Sequence, residues 1–347
     1  MRAIFVCFFI RAYRNLDTLK QYKLFFGTYG INEGSRVQIV EYSEELQIAT
    51  PSLVSIGNFD GVHVGHRMLL ERLVSKARLL RTCSIVLTFE PHTREVVHGE
   101  RVPRLTLQRE KELLLRSFGI DYCITIPFTK NMASLNKEAF MKNVLVKQLS
   151  CKGVVMGEDH SFGRKRDDLE NNYPIRCEMN DFYTVKLRLY RENDVAASST
   201  SVREYVSSGE IESACDMLGH PYLLCAVRTR GKRLGRELGY PTLNFLPPPS
   251  QKLVPPPGVY AAALECHGVL LEGCLYFGDC PTFGNRDVHF EFFSLDELPP
   301  RIDQEREVLL WIQKEIRQEQ RFDTPEELVA QMEKDVESIR NYFRKEW

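Results

Sequence analysis

From about Arg36 the sequence alternates short β-branched runs with longer stretches of helical periodicity, and this alternation limits the fold more than any other feature of the chain. Strands joined by helix-length connections lie parallel, and a parallel sheet needs helices over its faces to bury it. Ser52–Ile56, Ser84–Phe89, Tyr122–Ile126 and Gly153–Met156 are the expected strands. Between them Met68, Leu69, Leu70, Leu73 and Ala77 fall at helical spacing, as do Leu113 with Leu114, and Phe140, Val144, Leu145 and Leu149. The first half is expected to be α/β.

The texture changes near Gly209–Pro221, where a helical piece, Ile211–Leu218, leads into Gly219-His220-Pro221. Pro247-Pro248-Pro249 and Pro255-Pro256-Pro257 cannot lie inside helices or central strands, so they mark loops between short strands. Tyr222–Val227, Gly258–Leu264, Leu270–Phe277 and Val288–Phe293 are the strands expected there, giving a small antiparallel β-barrel domain. Closing helices follow. Thr324-Pro325-Glu326-Glu327 supplies a cap, a Pro in the first turn and a Glu three residues after the cap, ahead of an apolar stripe of Leu328, Met332, Val336, Ile339 and Phe343. With 347 residues there is room for both domains to bury a core.

Lys and Arg number 46 against 47 Asp and Glu, a formal charge of −1, so the chain lacks the positive excess that holds general binders of nucleic acid or anionic membrane. Its ten Cys are scattered, with no C-x-x-C and no Cys/His pair at zinc spacing. They read as reduced, packed thiols of a cytoplasmic protein without a structural metal. No stretch reaches the roughly 20 apolar residues of a spanning helix. Ala3–Ile10 is apolar, but Arg11 and Arg14 follow at once without a small-residue cleavage site, so residues 1–35 read as an N-terminal extension rather than a signal peptide.

The segment richest in chemistry is Gly57-Asn58-Phe59-Asp60-Gly61-Val62-His63-Val64-Gly65-His66, after an expected strand and before an expected helix. Ligands of α/β sheets bind at the carboxyl ends of strands. Gly57, Gly61 and Gly65 permit tight turns and close approach to a ligand, while the helix starting near His66 presents unpaired N–H groups to phosphate. His63 and His66 add donors in the same place. Nucleotidyl transfer suits such a site, because negative charge building on the attacked α-phosphate and the leaving pyrophosphate must be met by fixed donors. Two His at this spacing otherwise do no more than cap a helix; the flanking glycines favour the ligand site.

This segment closely resembles the G-x-F-D-G-x-H-x-G-H signature of the prokaryotic FAD synthetase family, a branch of the H-x-G-H nucleotidyltransferases. A class I aminoacyl-tRNA synthetase would need a larger body, an anticodon domain and a Lys-Met-Ser-Lys-Ser loop, and this sequence has none of them. Thr88-Phe89-Glu90-Pro91-His92 resembles the family's T-F-x-P-H segment, Gly157–Gly163 its G-x-D-F-x-F-G segment, and Ser198–Arg203 its S-S-T-x-I-R motif. The resemblance implies a Rossmann-like nucleotidyltransferase domain over residues 36–209, with His63 and His66 catalytic. It implies nucleotide contacts from Gly57, Asn58, Phe59, Asp60, Gly61, Gly65, Ser199, Thr200 and Arg203, and flavin contacts from Pro91, His92, Asp159 and Phe162. His160 replaces the usual aromatic residue, and Thr93 replaces a common Pro.

In residues 219–347, Gly235-Arg236-Glu237-Leu238-Gly239-Tyr240-Pro241-Thr242-Leu243-Asn244 lacks the Gly-Lys-Ser/Thr of a Walker A loop. It resembles the riboflavin kinase signature G-x-x-L-G-(F/Y)-P-T-A-N, and Gly258–Ala261, Pro281–Gly284 and Arg317–Phe322 match further pieces of that family. The resemblance implies Gly235, Gly239, Thr242 and Asn244 at the nucleotide, Thr242 and Asn244 at its magnesium, and Arg317 at the flavin. The family's base is a Glu two residues before a His. Here Asp287-Val288-His289 occupies that pattern, so Asp287 is the expected base, one methylene short, with Glu291 as a substitute. The whole then resembles a bifunctional enzyme that phosphorylates riboflavin to FMN and transfers AMP from ATP to FMN, with Mg²⁺ accompanying ATP and FAD as the product. Its expected partners are those small molecules alone, with no nucleic acid or membrane, and the oligomeric state is left open. The alternatives are an FAD synthetase with an inert flavin-binding barrel, and a flavin carrier or regulatory module without turnover.

Overall fold

A computed structural model describes residues 37–157, 183–187, 191–192, 195–231, 239–278, 289–299, 302 and 305–345. The expected extension, residues 1–35, lies outside them. The chain divides into two compact units at Ser199/Thr200.

The first unit is a six-stranded, wholly parallel sheet in the order β1-β4-β3-β2-β5-β6. Its strands are β1 (Gln38–Glu41), β2 (Ser52–Ile56), β3 (Cys83–Glu90), β4 (Tyr122–Pro127), β5 (Cys151–Gly157) and β6 (Tyr183–Leu187). All of β2 and the first six residues of β3 are buried, the continuous burial that a central parallel strand shows. Helix α1 (Val64–Leu80) turns Leu70, Leu73, Val74 and Ala77 inward. Helices α2 (Thr93–His98), α3 (Gln108–Arg116) and α4 (Lys130–Ser134) follow, and α5 (Lys137–Ala139) runs into a π-helical stretch, Phe140–Gln148. There Phe140, Met141, Val144 and Leu145 join Val54, Ile85, Leu87, Ile124 and Ile126 in one core. The edge strand β1 is short and half exposed, and no β-branched run long enough to announce it precedes Ser52.

From β2 the chain builds β3 and β4 on one side and then crosses to place β5 on the other. The carboxyl end of β2 therefore lies at the switch point of the sheet, where a crevice opens between diverging connections. Residues 57–63 occupy it. A ribbon of β7 (Arg191–Glu192) and β8 (Val195–Ala196) precedes helix α6 (Ser199–Ser208), and α7 (Ile211–Leu218) follows it.

The second unit is a closed antiparallel barrel in the order β10-β13-β12-β11-β14-β9. It comprises β9 (Tyr222–Thr229), β10 (Thr242–Phe245), β11 (Gly258–Cys266), β12 (Val269–Gly278), β13 (His289–Ser294) and β14 (Glu307–Gln318). Two of these had no sequence counterpart. β10 has four residues, too few for a periodicity, and β14 loses its alternation where register shifts interrupt its pairing with β11. Closure removes the exposed edges that a six-stranded open sheet would leave. Among the described residues one helix follows, α8 (Pro325–Lys345), rather than several. The Thr324 hydroxyl caps it by accepting from the Glu327 amide at 3.2 Å, and Ile339 and Phe343 are buried. No helix among the described residues is long and apolar enough to cross a membrane.

Candidate active sites

The loop after β2 leaves the sheet through three left-handed residues, Phe59, Gly61 and Val62, with φ of 47°, 83° and 45°. A positive φ is uncommon outside glycine and strained for β-branched Val62. Hydrogen bonds hold it. The Asp60 carboxylate accepts from the Leu105 and Thr106 amides at 3.2 and 2.8 Å and from the Thr106 hydroxyl at 3.1 Å. Gly61 N donates to Thr106 Oγ1 at 3.0 Å, and the Ser199 hydroxyl donates to the Asp60 carbonyl at 2.8 Å.

The turn delivers His63 to the N-cap of α1, where its Nδ1 accepts from His66 N at 3.4 Å. Accepting at Nδ1 places the proton of a neutral ring on Nε2 and makes that nitrogen a donor. The rings of His63 and His66 stack with centroids 3.7 Å apart, and Phe59 lies 5.1 Å from His66. A Cβ on Gly65 would come within 3.1 Å of the His63 ring; the missing side chain is what lets the ring cap the helix.

Gly57, Asn58, Phe59, Asp60, Gly61, His63, Gly65 and His66 thus come together at one strand end, and Ser199 joins them through Asp60. Thr200 and Arg203 follow on α6. Pro91 and His92 come directly after β3, where buried His92 caps α2 by accepting from Arg94 N at 3.2 Å. Asn58 Nδ2 donates to Thr93 Oγ1 at 3.1 Å, so the Thr that departs from the family pattern ties the two segments together. Asp159 and Phe162 lie outside the described residues.

In the barrel, Gly239 turns the chain into β10 with φ of 87°. Thr242 and Asn244 alternate along β10 and so face the same side. Asn244 stands opposite Glu291 of β13. The Thr242 hydroxyl donates to Glu291 Oε2 at 2.7 Å, and Asn244 Nδ2 lies 3.4 Å from Thr242 Oγ1. A Cβ on Gly231 would fall 2.3 Å from the Asn244 side chain. Beside Glu291 on β12, Tyr276 donates its hydroxyl to Glu319. The cluster is a patch of hydroxyl, amide and carboxylate groups on neighbouring strands of the barrel. Arg317 grips Asp335 of α8, with Nε and Nη2 at 2.9 and 2.8 Å from Oδ2. Gly235 and Asp287 lie outside the described residues.

From the sequence Glu291 is only a substitute base, since Asp287-Val288-His289 occupies the family's pattern. Its pairing with Thr242 depends on the β10–β13 register, across 49 residues of chain, and no local signal carries that.

A parallel sheet with a glycine–histidine loop at its switch point is the architecture of an H-x-G-H nucleotidyltransferase, here followed by a six-stranded barrel bearing an oxygen cluster. The sequence matches the FAD synthetase family over residues 45–201 and the riboflavin kinase family over residues 218–343. A bifunctional riboflavin kinase/FMN adenylyltransferase of Buchnera aphidicola subsp. Schizaphis graminum is 32% identical over 310 residues, 86% of this chain and 96% of that protein. Its counterpart in Escherichia coli K12 is 33% identical over 296 residues, 84% of this chain and 92% of that protein. The chain belongs to the bifunctional riboflavin kinase/FMN adenylyltransferase family. The crystal structure of a macrolide-efflux protein from Streptococcus pneumoniae shares the fold, with a TM-score of 0.75 at 23% identity over 88% of this chain and 99% of that one.

Proposed function

We propose that residues 219–347 phosphorylate riboflavin to FMN and that residues 36–209 join FMN to AMP, forming FAD. The observation that carries the reading is the pair of built sites: a left-handed loop at the switch point that ends in His63, with His66 stacked on it in the first turn of α1, and a cluster of Thr242, Asn244 and Glu291.

In adenylyl transfer an FMN phosphate oxygen attacks the α-phosphorus of ATP, and the bond to pyrophosphate breaks. The attacking phosphate is largely ionised at neutral pH, so the protein need not remove a proton. Its task is to hold charge: His63 Nε2–H, His66 and the first amides of α1 face the α-phosphate and the departing pyrophosphate. Ser199, Thr200 and Arg203 take the remaining phosphate oxygens, and Pro91, His92, Asp159 and Phe162 the flavin.

In the barrel, Glu291 takes the proton of the riboflavin 5′-hydroxyl as its oxygen bonds the γ-phosphorus and ADP departs. Glu291 replaces Asp287 as the proposed base because its carboxylate already lies in the Thr242–Asn244 cluster. The donors there are oxygens, which suit a hard cation, and Gly231 leaves room for Asn244 among them. Thr242 and Asn244 would hold Mg²⁺, which when bound neutralises charge on the nucleotide phosphates. By accepting the Thr242 hydrogen bond, Glu291 leaves the hydroxyl lone pairs free for the cation. Arg317 acts by anchoring α8 to β14. The cytoplasm fits the chain, since its seven described cysteines are free thiols.

Incubation with ATP, Mg²⁺ and either riboflavin or FMN, followed by separation of the flavins, tests the assignment. FAD is expected from both substrates. Glu291→Gln should lower FMN formation from riboflavin by about 10²–10⁴-fold while FMN is still converted to FAD, and Asp287→Asn should change either rate little. If Asp287→Asn is the variant that loses phosphorylation, Glu291 is not the base. FAD from FMN alone would leave the barrel an inert flavin binder.

A further inference from the structure

Beneath the loop at residues 57–62 lies a buried ammonium that neither reaction uses. Lys111, on α3, is 4% exposed, a rare state for lysine unless its charge is matched. Its Nζ donates to Thr88 Oγ1 at 3.1 Å, and the buried Thr88 hydroxyl donates onward to the Asn58 carbonyl at 3.2 Å. Asp60 is 3% exposed, and of the charges acting on Lys111 its carboxylate is the strongest. One cation therefore reaches the loop twice, through Thr88 at Asn58 and through space at Asp60. The strained residues Phe59 and Val62, with left-handed Gly61 between them, lie beside those two points. Strained backbone persists only where its surroundings over-determine it.

We propose that Lys111 is a positioning residue for adenylyl transfer: as donor to Thr88 and counter-charge to Asp60, it holds loop 57–62 in the form that aims His63 and the α1 amides at the phosphates. The inference rests on reading residues 57–66 as the adenylyl-transfer site. Removal of the ammonium takes a positive charge away from the buried Asp60 carboxylate, and weakening such a pairing favours a rearrangement that hydrates the survivor. The loop is what can move, and a displacement of about 1 Å at a reacting geometry can lower a rate about 10²-fold.

Burial lowers the Lys111 pKa. Asp60, the Cys123 thiol on β4 and Glu90 on β3 oppose that shift, while Arg104 adds to it. The ammonium is then lost on the alkaline side at a pH below that of an ordinary lysine, whereas an arginine in its place stays charged.

The test uses the full-length chain and its own second reaction as the control. Lys111→Met should lower kcat for FAD formation from FMN about 10²-fold, with riboflavin phosphorylation within about twofold of wild type. Lys111→Arg should recover at least about tenfold of that loss and extend activity to higher pH. Thr88→Val, which deletes the relay hydroxyl, should lower FAD formation about tenfold. The proposal is overturned if Lys111→Met and Thr88→Val both stay within about threefold of wild type. It is equally overturned if Lys111→Arg is no better than Lys111→Met and leaves the alkaline limb unmoved, the signature of a packing role alone. Should Lys111→Met fail to fold, the recovery and pH profile of Lys111→Arg together with Thr88→Val decide by the same criteria. His63→Ala separates the two layers: full pyrophosphate release in that variant removes the site reading itself, whereas its loss beside an unaffected Lys111→Met removes only the role of Lys111.

Discussion

One imidazole at the start of α1 both closes the helix through Nδ1 and keeps a donor on Nε2. His63 can do so because Gly65 leaves its ring room and because Asp60 gathers donors from Leu105 and Thr106 to fix the turn before it. A part-buried carboxylate elsewhere behaves in the opposite way. Glu265 on β11 accepts from Trp311 Nε1 at 2.9 Å, yet burial raises its pKa, the Trp311 hydrogen bond opposing only in part. With the folded pKa raised, the folded state binds more protons than the unfolded chain between the ordinary carboxylate pKa and the folded value. Stability from this group therefore falls as pH rises through that window, and at neutral pH the ionised side chain is a net cost. Glu265→Gln keeps an acceptor for Trp311 and removes the charge. Its Tm should exceed that of wild type at pH 7, and the gain should fade as the pH is lowered toward 4, as thermal unfolding at several pH values will show. Burial also pushes the Cys83 and Cys123 thiols up to about 11 and those of Cys151 and Cys274 up to about 12, the behaviour of packed, unreactive cysteines that their scattered spacing suggested.

Among the elements, β10 shows how little sequence a functional strand needs. Four residues, Thr242–Phe245, alternate Thr and Asn toward the cluster with Leu and Phe toward the core. The strand is held between β9 and β13, and Gly231 comes close enough to limit where the Asn244 amide can lie. Gly231→Ala puts a methyl group against the end of a short side chain that can swing away, so it should cost little stability. It should still lower riboflavin phosphorylation about tenfold or more, with an unchanged rate from FMN to FAD and an unchanged Tm. Element by element, the strands β2, β3, β4 and β5 were legible because central parallel strands are continuous apolar runs. The π-helical stretch Phe140–Gln148 was legible only as a helix, since its buried residues fit either period. β14 was not legible: Lys314, Glu315 and Arg317 near its end break the alternation by which a strand is recognised, with Lys314 paired to Glu212 of α7 and Arg317 to Asp335 of α8.

At the scale of the whole molecule, two cores stand behind two chemistries. Core residues of one unit should therefore be felt first in the reaction that unit carries. Phe343 of α8 is 2% exposed and belongs with the barrel unit. Phe343→Ala removes a buried ring and should destabilise that unit by about 3–5 kcal/mol. On warming, riboflavin phosphorylation should be lost before FAD formation from FMN, which assays of both reactions across a temperature series will show.

By itself, the amino-acid sequence determined the alternation that makes the first unit α/β, the proline breaks that make the second a set of short strands, and the loop from Gly57 to His66. All of these are written in neighbouring residues, through periodicity, turn chemistry and caps. Tertiary structure alone decided which carboxylate meets Thr242, which lysine supports Asp60, and that Arg317 is gripped by Asp335. Each of those pairs joins distant stretches of chain through strand register or helix docking, and burial then sets the strength of the interaction by removing the water that would screen it.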